Sequence, residues 1–154
     1  MAIGRIGGLA AAAALAACIG CGAALAQDKP ADVIKYRQNV MKSIAAVFGD
    51  IQAVAKGEVS FVAHVPALAT HMSQMAAIMP AAFPRGTGRD ANETRAKPEI
   101  WADWDKFSAA AKAMGTETAK MAQIAAGGDR AAIGAQVAEI GKTCGGCHRP
   151  YRAD

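Results

Sequence analysis

The chain has 154 residues, 53% of them hydrophobic, with 17 Lys and Arg against 13 Asp and Glu. That length supports one domain with a real core. The modest positive charge has no basic cluster, which excludes a nucleic-acid-binding balance. Much of the apolar excess belongs to the N-terminus.

Met1 to Ala26 carries one charge, Arg5, then an apolar run from Ile6 to Ile19, then Ala24-Leu25-Ala26. A basic start, a short apolar stretch and an A-x-A end predict a secretory signal over 1–26, cleaved before Gln27. The run is too short and Ala-rich to prefer spanning a membrane. Leu15-Ala16-Ala17-Cys18 also resembles a lipobox, the alternative being a lipid-anchored protein starting at Cys18. Removing the signal takes away Cys18, Cys21 and Arg5, leaving a mature domain over 27–154 with two cysteines and a net charge of +3.

Four helices follow, and no strand-like alternation is present. The first opens at Pro30 with Asp32 in its first turn and stops at Lys56-Gly57. Its apolar row is Val33, Val40, Ile44, Val47, Ile51 and Val54, with Arg37 as the one misfit. The second runs from about Phe61 to Met79 with Val65, Leu68, Met72, Met75 and Met79 in register, starting or kinking at Pro66. Between Pro80 and Pro98 periodicity fails and prolines and glycines mark a long crossover. Asn92-Glu93-Thr94 within it matches a glycosylation sequon, read as chance. The third helix starts at Pro98-Glu99 and carries Ile100, Trp104, Phe107, Ala111, Met114, Thr118 and Met121. Gly127-Gly128 ends it, and Asp129 is the expected cap of the fourth, whose row is Ile133, Val137, Ile140, Cys144 and Cys147. The predicted fold is all-α: an antiparallel four-helix bundle with one long crossover between helices two and three.

The fourth helix ends in Cys144-Gly145-Gly146-Cys147-His148, a C-x-x-C-H motif, the signature of covalent c-type haem attachment. Positions i, i+3 and i+4 share one helix face. Cys144 and Cys147 can form thioethers to one porphyrin while His148 meets the iron from the proximal side. A thioredoxin-type pair would follow a strand, and nothing before Cys144 resembles one. A zinc site needs four ligands, whereas the other mature histidines, His64 and His71, lie far upstream without paired spacing. Those histidines read as solvent-side residues and the Met72/Met75/Met79 stripe as core, in preference to a copper site. No acid/base pair or nucleophilic constellation points to an enzyme.

This C-terminal motif on the last helix of an exported all-helical domain resembles the class II cytochromes c, the cytochrome c′ family. Lys35-Tyr36-Arg37-Gln38, Phe83 with Gly86-Thr87, Pro98-Glu99-Ile100-Trp101, and Cys144 to Arg152 carry the resemblance along the mature chain. It implies one covalent haem c held by Cys144 and Cys147, with Arg37 facing a haem propionate, Gln38 at the haem edge and Arg152 near the proximal pocket. It places Met41, one turn after Arg37, on the distal side of the iron. There a Met ligand gives the closed His148/Met41 site of the c-556 type, an electron carrier between redox proteins. A non-ligating residue leaves iron five-coordinate and open to NO or CO. The resemblance also implies a periplasmic location and allows a homodimer through helices one and two.

Overall fold

A computed structural model describes residues 28–154. The expected signal and lipobox, with Cys18 and Cys21, lie outside the described residues.

Helix α1 spans Pro30–Lys56, with Pro30 in its first turn and Asp32 at the positive end of its dipole. Ile34, Arg37, Val40, Ile44, Ile51 and Val54 are its buried residues, a 3–4 rhythm that includes the misfit arginine. Gly57 ends it with a positive φ of 80°. Its N–H donates to the Val54 carbonyl and that of Glu58 to Ala53, both at 3.0 Å, a Schellman closure.

The second helix is shorter than expected. A 3₁₀ turn over Val62–His64 precedes α2, Val65–Ile78, with Pro66 in its first turn. Proline has no N–H to donate backward, so it is accommodated in this first turn, where that donor has no partner within the helix. Ala69 and Ala76 are buried with Val65 and Met72, whereas the expected Leu68 and Met75 are only half-buried. The small residues form the seam with α4: a Cβ on Gly115 would sit 3.4 Å from the Ala76 Cβ. Ser73 Oγ donates to the Gly115 carbonyl across that seam at 3.2 Å.

The third expected helix is broken in two. α3 is the single turn Glu99–Ala102, and α4 runs Trp104–Ala125, separated by Asp103 at φ −128°, ψ 56°. Trp101 Nε1 donates to the carbonyls of Phe83 at 2.9 Å and Pro84 at 3.2 Å, which fastens α3 to the crossover. The break shifts the register, so Ile100 and Phe107 are buried while Trp104, expected in the core, is 37% exposed.

Asp129 caps α5, Arg130–Tyr151, with Oδ1 accepting from the Ala131 N–H at 2.9 Å. Buried Gln136, absent from the apolar row, donates to the Glu117 carbonyl and carboxylate at 3.0 and 2.6 Å. Val137, Cys144 and Cys147 are half-buried against the core.

α4 packs against α2 and α5, and α1 against the same two, so α1 and α4 stand diagonally in a four-helix bundle with α3 as an appendage. The crossover folds over one end of this bundle. There Lys97 N donates to the Tyr151 carbonyl and Ala153 N to the Arg95 carbonyl, and Ala96 and Arg152 form an isolated bridge. Among the described residues there is no strand, and no helix is long and apolar enough to cross a membrane.

Candidate haem site

Three pieces of chain meet where the crossover closes the bundle. α1 contributes Arg37, Gln38, Met41, Lys42 and Ala45. The last turns of α5 contribute Cys147, His148 and Tyr151, and Arg152 follows them. The crossover brings Phe83 and the stretch Thr94 to Ala96, and Ile100 of α3 completes the lining. Together they enclose a cavity of about 460 Å³. Met41 and His148 line it from different helices. Of the seven residues expected to hold or contact the haem, Cys144 is the one outside the lining; it lies one turn before Cys147 on α5, half-buried against the core.

The two thiols are free. Burial pushes both above the ordinary cysteine value, so each is protonated at neutral pH. His148 is held below the usual imidazole value, first by burial and then by the nearby charges of Arg152 and Arg95. A neutral imidazole is the form that binds a metal.

Arg37 is 2% exposed. Its Nη1 donates to Thr87 Oγ1 at 2.7 Å, and Nη2 donates to the Thr87 carbonyl at 2.7 Å and to Thr94 Oγ1 at 2.9 Å. The guanidinium carbon stands 4.6 Å from the Phe83 ring centroid and 5.9 Å from that of Trp101. Burial lowers its pKa to about 10, still far above neutrality. The side chain does not snorkel to the bundle's end. It carries a full charge whose hydrogen-bond partners are all neutral. Gln38, by contrast, is exposed and its Nε2 donates to the Glu93 carbonyl at 3.3 Å.

Sequence reasoning overlooked Thr94 and Arg95. Thr94 falls inside the sequon read as chance, yet its hydroxyl accepts from Arg37 and from the Ala96 N–H at 3.2 Å. A threonine in a loop carries no periodicity, so only the buried arginine in α1 hinted that a polar partner must exist somewhere. His64 is exposed and stacks on Phe61 with centroids 5.0 Å apart, and His71 lies 3.5 Å from Ser43 Oγ, both away from this cavity. Among the described residues no group of three or more His, Cys, Asp or Glu is placed to hold a metal ion.

The cavity fits a haem. Cys147 and His148 line it with Cys144 one turn earlier on the same helix, so two free thiols and an imidazole stand at i, i+3 and i+4, beside a largely apolar wall and the buried Arg37 charge, where a carboxylate could be received. A four-helix bundle ending in C-x-x-C-H beside such a cavity defines a four-helix c-type cytochrome. The chain belongs to the cytochrome c′ family, whose model matches residues 32–152. It is 38% identical over 146 residues to cytochrome c′ of Rhodospirillum rubrum, covering 92% of this chain and 95% of that one. It is 34% identical over 143 residues to cytochrome c-556 of Agrobacterium fabrum, covering 92% of each. The crystal structure of cytochrome c′ from Rubrivivax gelatinosus superposes with a TM-score of 0.73 at 34% identity, over 82% of this chain and 98% of that one. A nitric oxide complex of a point mutant of cytochrome c prime from Alcaligenes xylosoxidans does so with 0.73 at 31% identity, over 82% and 98%.

Proposed function

We propose that this protein is an exported electron carrier: Cys144 and Cys147 would hold a single haem c, and His148 and Met41 would bind its iron. The presence of Met41 and His148 in the lining of one cavity, on the neighbouring helices α1 and α5, carries this reading. When bound, the haem would supply one-electron Fe(III)/Fe(II) chemistry. The chain's own residues supply the rest. His148 offers a lone pair at neutral pH because burial and two arginines oppose its protonation. Met41 brings a soft thioether from α1, a ligand that favours the reduced state. Arg37, held by Thr87 and Thr94, is set to receive a haem carboxylate, Gln38 lies near the haem edge, and Arg152 beside His148. The packed bundle keeps α1 and α5 in place, so little rearranges when the electron moves. Export follows from the signal over 1–26, which leaves 27–154 as the mature periplasmic domain, with Cys18 lipidation as the alternative processing. Redox proteins are its partners, and a homodimer through α1 and α2 accords with the family.

A second reading has its own support. A nitric oxide complex stands among the solved structures this chain resembles, and Ala45, one turn after Met41 on α1, adds an apolar residue to the lining there. Here Met41 would only pack, His148 alone would bind the iron, and a diatomic gas would be taken up on the open side. Absorption spectra of the purified protein, oxidised and reduced, before and after CO, separate the two. A low-spin oxidised form with a near-red thioether-to-iron band and slow CO binding supports the carrier. A high-spin form that takes CO at once supports the gas binder. Haem that extracts completely into acid acetone overturns both.

A further inference from the structure

We propose that the rim of the haem cavity, formed by Lys42, Arg95 and Arg152, is the docking surface for an acidic redox protein. The inference rests on the haem occupying this cavity. It does not depend on whether Met41 binds the iron.

The cavity is lined by four cationic residues and no carboxylate. They divide by exposure. Arg37 is buried and committed to the crossover, whereas Lys42, Arg95 and Arg152 are exposed. They come from α1, the crossover and the chain end, three segments that meet only in the folded molecule. Arg95 is anchored, its Nε donating to the Ala153 carbonyl at 2.9 Å, and so holds its charge at the opening. Among the described residues none of the three forms an ion pair, although five lysines elsewhere pair with aspartate or glutamate. Glu93 and Asp154, each two residues along the chain from a rim arginine, form no ion pair with the rim either.

A haem has two carboxylates: Arg37 would meet one, and the other would offset at most one of the three rim charges, so the rim keeps a net positive charge directed outward. Unpaired like charges around a low-dielectric opening sum to a field that extends about 10 Å at 0.1 M salt and raises the encounter rate of an anionic partner. An electron has to enter or leave at the haem edge, so the favoured orientation is also the productive one. An anionic membrane is the less suitable occupant. The large exposed hydrophobic residues, Tyr36, Val59, Phe61, Ile78 and Trp104, are all absent from the lining, so no apolar anchor accompanies the charges.

The test uses the reduced, haem-loaded protein in stopped flow. Each molecule gives one electron to hexacyanoferrate(III), an anionic oxidant, or to tris(phenanthroline)cobalt(III), a cationic one. The hexacyanoferrate rate is expected to fall about tenfold from low salt to 0.2 M, and the cobalt rate to stay level or rise. Lys42→Glu with Arg95→Glu should slow the hexacyanoferrate reaction at low salt by about tenfold, and Lys42→Glu alone, which keeps the Arg95 charge beside His148, should slow it in the same direction by a smaller factor. Lys112→Glu on α4, away from the cavity, should have little effect. Poly-glutamate should inhibit the wild type and not the double variant. Equal salt dependence for both oxidants, or equal effects of Lys112→Glu and the double variant, overturns the proposal. Rim-dependent binding to phosphatidylglycerol vesicles without inhibition by poly-glutamate also overturns it, in favour of a membrane. Protein that carries no covalent haem fails the preceding reading instead, and the spectrum taken first tells the two failures apart.

Discussion

Arg37 and Met41 sit one turn apart on α1, and the chemistry of the cavity turns on what each is doing. Arg37 stands as an apparent error in an apolar row and becomes intelligible only with Thr87 and Thr94 beside it. Replacing Thr94 by Val removes an acceptor from a buried cation and from the Ala96 N–H. This should cost about 1–3 kcal/mol in urea unfolding of the haem-loaded protein. Because Arg37 titrates only near 10, that loss should be the same at pH 6 and pH 8. Met41→Ala tests the ligand set. If the sulfur binds iron, the substitution should turn the oxidised protein high-spin and speed CO binding, with helix content unchanged. The stability cost should be about 2 kcal/mol, the low end for such a truncation because Met41 is only half-buried. Equal CO rates in wild type and variant would reduce Met41 to packing. The thiols give a third measurement. Haem-free folded chain should react with iodoacetamide more slowly than free cysteine at pH 8, because burial raises both thiol pKa values and leaves less thiolate. The reaction should gain rate as pH rises past the ordinary cysteine value. A rate equal to that of free cysteine would mean the pocket is open or unfolded without haem.

Helix ends were far more legible than helix interiors. Pro30, Lys56-Gly57 and Asp129 mark real boundaries because each supplies a local device: a missing donor, a positive φ, a carboxylate for an orphan N–H. Gly57→Ala should therefore lower stability by about 1–2 kcal/mol through the left-handed backbone, with the visible spectrum unaltered. The added Cβ would also displace the Arg130 guanidinium tip, which is flexible and adds little. Which interior residues are buried was harder to read. Ala69 and Ala76 hold the α2–α4 seam because close approach of two helices needs small side chains, a demand set by the partner helix. The break at Asp103 was likewise invisible, since the contact of Trp101 with the Phe83 and Pro84 carbonyls spans 18 and 17 residues.

For the molecule as a whole, the mature boundary remains an expectation to be measured. Mass spectrometry should find Gln27 at the N-terminus, whereas a diacylated Cys18 would make this an anchored carrier. The sequence by itself determined the four amphipathic rows, the long crossover, the C-x-x-C-H motif on the last helix and the family these define. Those features are local or periodic, so a chain read residue by residue displays them. Only the tertiary structure decided that the crossover folds back to clamp Arg37, that Arg95 joins Lys42 and Arg152 at one opening, and that Met41 shares a cavity with His148. Those arrangements join residues far apart in the chain, and they form only when burying the apolar rows forces α1, α5 and the crossover together.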